Sequence, residues 1–200
     1  MTRRLCRSFY QRPVIRVARG LLGQRLVRVV DGRRLAGIIV ETEAYLGLPD
    51  KAAHTYTGRR TARNASMWLD GGHAYVYFTY GMHHCLNVVA GLAEDPVAVL
   101  IRAIEPHEGL SAMYARRPAA RCDTDLCSGP AKLCQAMQIN RNLDGEDMTT
   151  SKRLFVEQCR ARAYPSRDIH VGPRIGVAYA GQWAAKPLRF YLDNPHISTA

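Results

Sequence analysis

The stretch from Arg25 to Tyr45, RLVRVVDGRRLAGIIVETEAY, constrains the fold more than any other. Two β-branched apolar runs flank Asp31-Gly32, a dipeptide suited to the two-residue hairpin turn in which both central residues take positive φ. A hairpin here commits this part of the chain to antiparallel pairing between sequence neighbours. The second arm ends unusually. Alternation puts Glu41, Glu43 and Tyr45 on one side and Val40, Thr42 and Ala44 on the other, so one face leaves the core and meets something polar. A carboxylate at the inner end of a strand is costly unless it is paired, hydrogen-bonded or poised for chemistry. An ordinary strand end whose acids meet arginines has the same pattern, and taken alone this segment favours that reading.

Around this hairpin the chain shows other punctuated segments. PVIRVARGLLG predicts a helix with Pro13 in its first turn, Val14, Val17, Ala18, Leu21 and Leu22 on one face, and Gly23 closing it. From Leu48 to Ser66 runs a long polar segment containing HTYTGRRTARN, and a loop of this length with Arg59, Arg60 and Arg63 suits an approach to phosphates. GGHAYVYFTYGMHHCLNVVAG predicts a second hairpin with Tyr80 at its tip, where its own strands offer no core. Tyr75 and Phe78 read as cross-strand packing residues. VAVLIRAIEP predicts a buried strand reaching Arg102, PHEGLSAMYARR a helix opening at Pro106, and CSGPAKLCQAM a helix starting at Ser128-Gly129-Pro130. Free N–H groups at that last start, with Lys132 one turn in, can seat a phosphate, although an ordinary capped helix fits those residues better. RIGVAYAGQWAAKPLRFYL predicts a strand, a turn or short helix, and a closing strand, with Trp183 in the core. Hairpins with interspersed helices and no strict β-α alternation make an α+β fold on a curved, mainly antiparallel sheet.

Length and composition set outer limits. The chain has 200 residues, 47% of them hydrophobic, and no linker-like shift in composition, so residues 1–200 read as one domain. Residues 1–12 and 193–200 read as flexible ends. No apolar run is long enough to span a bilayer, and MTRRLCRSFYQRP lacks the apolar centre of a signal peptide. Six cysteines at irregular spacings form no C-x-x-C pair, which fits reduced thiols and argues against a zinc site; no structural metal and no cofactor are expected. Against 17 acids stand 28 Lys and Arg, giving a formal charge of +11, and only Lys51, Lys132, Lys152 and Lys186 are lysine. Such an excess suits a polyanionic partner, and biased codon usage also yields arginine-rich surfaces, so charge leaves nucleic acid only modestly favoured.

The motifs VETEAYLG, AAHTYTGRRTARN, YVYFTYGMHHCLN, VLIRAIEP, LCSGPAKLCQA and AGQWAAKPLRFY, in this order, resemble the alkyladenine (3-methyladenine) DNA glycosylase family over most of the chain, about residues 18 to 192. The resemblance implies a single mixed domain on a curved, barrel-like antiparallel sheet with surrounding helices. It also implies a DNA repair enzyme that hydrolyses the N-glycosidic bond of alkylated or deaminated purines. It places the general base at Glu43, stacks the extruded purine among Tyr45, His54 and Tyr77, and makes Tyr80 the wedge that fills the gap in the duplex. Asn87 falls where the family excludes the 2-amino group of guanine, Arg102 where it helps hold the nucleotide phosphate and attacking water, and Ile175 where a backbone carbonyl can contact that water. Arg59, Met82, Ser128, Gly129 and Lys132 fall on DNA-contacting segments. The chain departs from the family pattern at Ala62, where proline is common, at Trp68, in place of a smaller aromatic, and at His83, where some relatives carry tyrosine; these positions bear on DNA grip.

The expected partner is therefore double-stranded DNA containing damaged purines, bound by a monomer with no membrane contact. The expected compartment is the cytoplasm with its nucleoid in a bacterium, or the nucleus in a eukaryote. A pocket without lysine implies hydrolysis without Schiff-base strand cleavage. Two other classes remain open at this level. A non-catalytic binder of distorted DNA would use the same basic surface and Tyr80, and only Glu43 in its strand context separates it from an enzyme. A metal-dependent nuclease would need a larger cluster of acids than Glu41 and Glu43 supply.

Overall fold

The computed structural model describes residues 3–198. Its organising element is strand β3 (Arg33–Tyr45), thirteen residues long, which follows β2 (Arg25–Val30) through the expected turn, with Asp31 at φ 48° and Gly32 at φ 74°. β3 pairs antiparallel with β2 over Arg33 to Ile38, and along its other edge with β6 (Val97–Glu108). The second expected hairpin is present as β4 (Ala74–Thr79) and β5 (His83–Ala90). Together with β1 (Arg3–Arg4) and β7 (Leu154–Gln158), the strands run in the order β1-β7-β2-β3-β6-β5-β4. Two short strands, β8 (His170–Gly172) and β9 (Arg189–Tyr191), complete the sheet, with β9 taking over the β2 edge of β3 at Glu41 to Glu43. The result is a curled antiparallel half-barrel in an α+β domain.

One side of the sheet is sealed by helices. α1 (Arg7–Tyr10) and α2 (Val14–Leu21) precede β2, and α2 buries Val14, Val17, Ala18 and Leu21 as its periodicity requires. α3 (Leu110–Arg116), α4 (Asp123–Leu126) and α5 (Pro130–Ala136) follow β6 and add Met113, Leu126 and Leu133 to the same core. Thr42 and Ala44 face this side: Thr42 Oγ1 donates to the Ala18 carbonyl at 3.1 Å, and Ala44 belongs to the main cluster. Glu41, Glu43 and Tyr45 therefore face the opposite way, as alternation requires.

The structure departs from the sequence expectations in four places. The helix expected from Pro106 begins at Leu110, because β6 continues to Glu108 and only Gly109, at φ 80°, turns the chain. Pro106 lies opposite Gly37 beside a break in register, the kind of site where a strand tolerates a residue without an N–H. The strand expected in RIGVAY lies just upstream, as β8. Residues 174–177 form an irregular strap leading into a 3₁₀ turn (Ala178–Trp183). The expected flexible ends are packed where described: Arg3 pairs with Gln158, Tyr10 is fully buried, and Ser198 is buried against Glu41. Finally, Trp183 is only half-buried, covered in part by Lys186 at 3.4 Å from its ring centre.

Candidate active site

Sheet register explains why the expected residues converge. Glu43 lies opposite Leu100 on β6, Leu100 opposite Asn87 on β5, and Asn87 opposite Tyr75 on β4. Residues directly opposite share a face, so these four form one row across four strands. The next row adds Tyr77 opposite Cys85. Arg102 lies two residues beyond Leu100 at a break in register between Glu41 and Thr42, whose partners are Ala103 and Ile101. That bulge sets Arg102 against both glutamates: its Nε is 3.0 Å from Glu41 Oε1, and its Nη1 is 3.1 Å from Glu43 Oε1.

Above this row lies a cavity of about 390 Å³, bounded by Tyr45, His54, Tyr75, Tyr77, Asn87 and Arg102, with Ile175 on the strap side. Glu43 has no exposed surface, and the groups that hold it belong to the cavity wall. Oε1 accepts from the Ile175 backbone N–H at 2.8 Å and meets Arg102, while Oε2 accepts from the Tyr45 hydroxyl at 2.8 Å. Burial raises the Glu43 carboxyl above its usual range, outweighing Arg102, the Ile175 N–H and the Tyr45 hydroxyl, which pull it down. The result is a more basic carboxylate held in a fixed orientation. Burial also raises the Tyr45 and Tyr77 phenols, so both remain neutral donors at neutral pH.

The aromatic walls are braced. His54 stands edge-on to Tyr77, with ring centres 4.6 Å apart, and its Nδ1 is 2.7 Å from the Tyr75 hydroxyl. Burial, helped by Arg63 and Arg59, lowers His54 to about 4 and keeps it neutral in the physiological range. Asn87 is buried and donates from Nδ2 to the Tyr75 carbonyl at 3.3 Å. Behind Tyr45, the Arg174 guanidinium sits 4.6 Å from the ring centre and makes a two-pronged ion pair with Asp50 at 2.6 and 2.8 Å. At the mouth, Tyr80 is 83% exposed at positive φ (51°), a conformation a bulky residue rarely holds without a function or a constraint. Met82 beside it is 70% exposed.

The remaining expected residues do not line the cavity, although Pro130, next to Gly129, does. Arg59 is exposed in the loop between β3 and β4, where Asn64 Nδ2 donates to its carbonyl at 2.9 Å. Ser128 and Gly129 lead into α5, and Ser128 bridges to Ala103 of β6. Lys132 is already engaged: its Nζ pairs with Asp125 and lies 3.4 Å from Ser128 Oγ. Sequence reasoning did not find Tyr75 as a pocket residue, the Arg174–Asp50 brace, or Tyr179, 69% exposed at the rim. Only the tyrosines carried any signal, as aromatics near a polar loop. Among the described residues there is no group of three or more His, Cys, Asp or Glu side chains able to hold a metal, and no helix is long and apolar enough to cross a membrane.

This arrangement suits a flat aromatic ligand brought near a basic carboxylate. The profile of the methylpurine-DNA glycosylase (MPG) family matches residues 8–196. A protein from Methanocella arvoryzae is 51% identical over 190 residues, covering 95% of this chain and 92% of its own. The human and mouse proteins named DNA-3-methyladenine glycosylase are 45% and 43% identical, each matched by 98% of this chain over 68% and 61% of their lengths. The chain belongs to the methylpurine-DNA glycosylase family and, with it, to the DNA N-glycosylases.

Proposed function

We propose that this DNA repair glycosylase rotates a damaged purine out of duplex DNA into the aromatic cavity and hydrolyses its N-glycosidic bond with water activated by Glu43. The observation that carries this reading is the buried Glu43 carboxylate, raised by burial and held by Arg102, Ile175 and Tyr45, all three of which line the aromatic cavity. Extrusion costs roughly a few kcal/mol, less for a damaged or poorly paired base. Stacking on Tyr45 and Tyr77 returns on the order of 1–3 kcal/mol per base. Glu43 then takes a proton from water as it meets the sugar carbon, and its charge stabilises the developing oxocarbenium ion. Asn87 beside Tyr75 supplies a polar check on the purine edge. Among the described residues no lysine lines the cavity, which supports release of the base without strand cleavage.

The test is base release under single-turnover conditions from duplexes carrying methylated purines, hypoxanthine, ethenoadenine or uracil. Release of at least one modified purine, with uracil retained, is expected. Tight binding to damaged duplexes with no base released from any of them would instead identify a binder of distorted DNA.

Two further expectations concern DNA engagement. Binding to undamaged duplex weakens steeply with salt, because the excess positive charge displaces counterions from phosphates. Arg59→Ala makes the log–log slope shallower by about one, and Lys132→Ala by less, since Asp125 already neutralises that amine. Equal slopes for wild type and Arg59→Ala would remove Arg59 from the footprint. Tyr80→Ser lowers the population of extruded base and slows excision of well-paired lesions most, while a lesion opposite a gap is partly rescued. Because Tyr80 is exposed, its loss leaves Tm unchanged. A lowered Tm with uniform loss on all substrates would show Tyr80 to be a packing residue.

A further inference from the structure

Glu41 precedes the proposed base by two residues on the same face, is itself fully buried, and has no assigned role. Its carboxylate is saturated. Oε1 accepts from Arg102 Nε at 3.0 Å and Arg189 Nη1 at 3.1 Å, and Oε2 accepts from the Ser198 backbone N–H at 2.7 Å and the Ser198 hydroxyl at 2.6 Å. The Ser198 hydroxyl donates to Glu41 and in turn accepts from Arg102 Nε at 3.2 Å and Nη2 at 3.0 Å. The segment carrying Ser198 is pinned alongside: the Leu192 N–H donates to the Val40 carbonyl at 3.0 Å, and Asn194 Nδ2 to Glu105 Oε2 at 2.9 Å. Two of the three guanidinium nitrogens of Arg102 are thus held by Glu41 and Ser198, and the third, Nη1, meets Glu43.

We propose that Glu41, capped by Ser198, is a positioning residue of the active site: it holds the Nε and Nη2 side of Arg102 so that a single nitrogen, Nη1, bears on Glu43. The inference rests on the reading of Glu43 as the general base. A guanidinium freed from Glu41 can present a two-pronged edge to Glu43, the geometry that best stabilises a carboxylate and most weakens it as a base. Glu41 acts in the same direction through its own charge, which opposes ionisation of Glu43. The other groups facing Glu43 are Tyr45 on its own strand, Tyr77 and Cys85 from β4 and β5, Arg189 opposite it on β9, Arg174 from the strap and Tyr179 from the 3₁₀ turn. None of these touches Ser198 in the described contacts, so a Ser198 substitution reaches Glu43 through Arg102 and Glu41.

The experiment is the pH–rate profile of single-turnover excision at saturating enzyme, on a lesion the wild type releases, for Glu41→Gln, Ser198→Ala, Ser198→Thr and Glu43→Gln, with duplex affinity and Tm measured alongside. In Glu41→Gln the acid limb is expected to move to lower pH by about half a unit to one unit, and the plateau to fall by roughly three- to thirtyfold, as a weaker base gives a slower proton transfer. Ser198→Ala shifts the limb the same way by less, with duplex affinity unchanged. Ser198→Thr, which keeps the hydroxyl, restores the wild-type profile. A limb that stays in place or moves up in Ser198→Ala overturns the inference, whether or not Glu41→Gln folds, because a merely structural loss lowers the amount of active protein without moving the limb. Wild-type excision by Glu43→Gln would instead overturn the reading of Glu43, so the two failures are distinguishable.

Discussion

Glu43→Gln is expected to bind lesion-bearing duplex as tightly as the wild type while its single-turnover excision falls by about 10²–10⁴-fold. The amide keeps the shape of the side chain and an oxygen able to accept from the Ile175 N–H, and Arg102 retains Glu41 as a partner, so the fold and the aromatic walls persist. What disappears is the proton acceptor and the negative charge beside the developing oxocarbenium ion. For the wild type, burial raises the Glu43 carboxyl above the ordinary carboxylate range, so activity rises with pH through the limb in which the carboxylate forms. His54, near 4, titrates lower and does not account for that limb. Undiminished excision by Glu43→Gln, or an equal loss on replacing Glu41, would remove the assignment.

The second large effect is on stability and reaches the site indirectly. Asp50 and Arg174 form a buried ion pair with neither side chain exposed, and removing one partner strands the other charge. Asp50→Ala is expected to cost about 3–5 kcal/mol, lowering Tm by roughly 6–20 °C. Asp50 also accepts from the Leu46 and Ala52 backbone N–H groups, and Arg174 donates to the Ala44 carbonyl and underlies Tyr45. The substitution therefore loosens the end of β3, the Tyr45 wall and the strap bearing Ile175 together. Replacing both partners with apolar residues is expected to cost far less than the sum of the single changes. Thermal melts of the two single variants and the double variant measure this coupling, and simple additivity would show that the pair is not a unit.

These two cases mark what the sequence does and does not disclose. The hairpins, the alternation that turns Glu41, Glu43 and Tyr45 away from the core, and the exposed tip at Tyr80 are local patterns of turn chemistry and period, and they can be read directly. β1 and β7 cannot, because a two-residue strand and a five-residue strand carry too little pattern, and they pair across 152 or more intervening residues at Arg4 and Glu157. The strap at 174–177 reads as a strand from its residue types, yet the structure spends Arg174 on Asp50 and the Ile175 N–H on Glu43 instead of on a ladder. Tyr75 shows how far local reading reaches: alternation places it in β4, but only the register across β5 and β6 brings it into the row of Glu43, and only the loop brings His54 to its hydroxyl. Ser198 and Glu41 lie 157 residues apart, and nothing in either neighbourhood signals the other.

The most direct test of water-mediated base excision is a single-turnover reaction of the wild-type protein with methylated duplex, assayed for free methylpurine, for strand breaks before and after alkali, and for covalent adducts trapped by borohydride. Expected are free base above the spontaneous rate, an equal number of alkali-labile sites in strands that are intact before alkali, and no trapped adduct. Strand breaks without alkali, a trapped protein–DNA adduct, or tight binding with no free base would contradict hydrolysis by a Glu43-activated water.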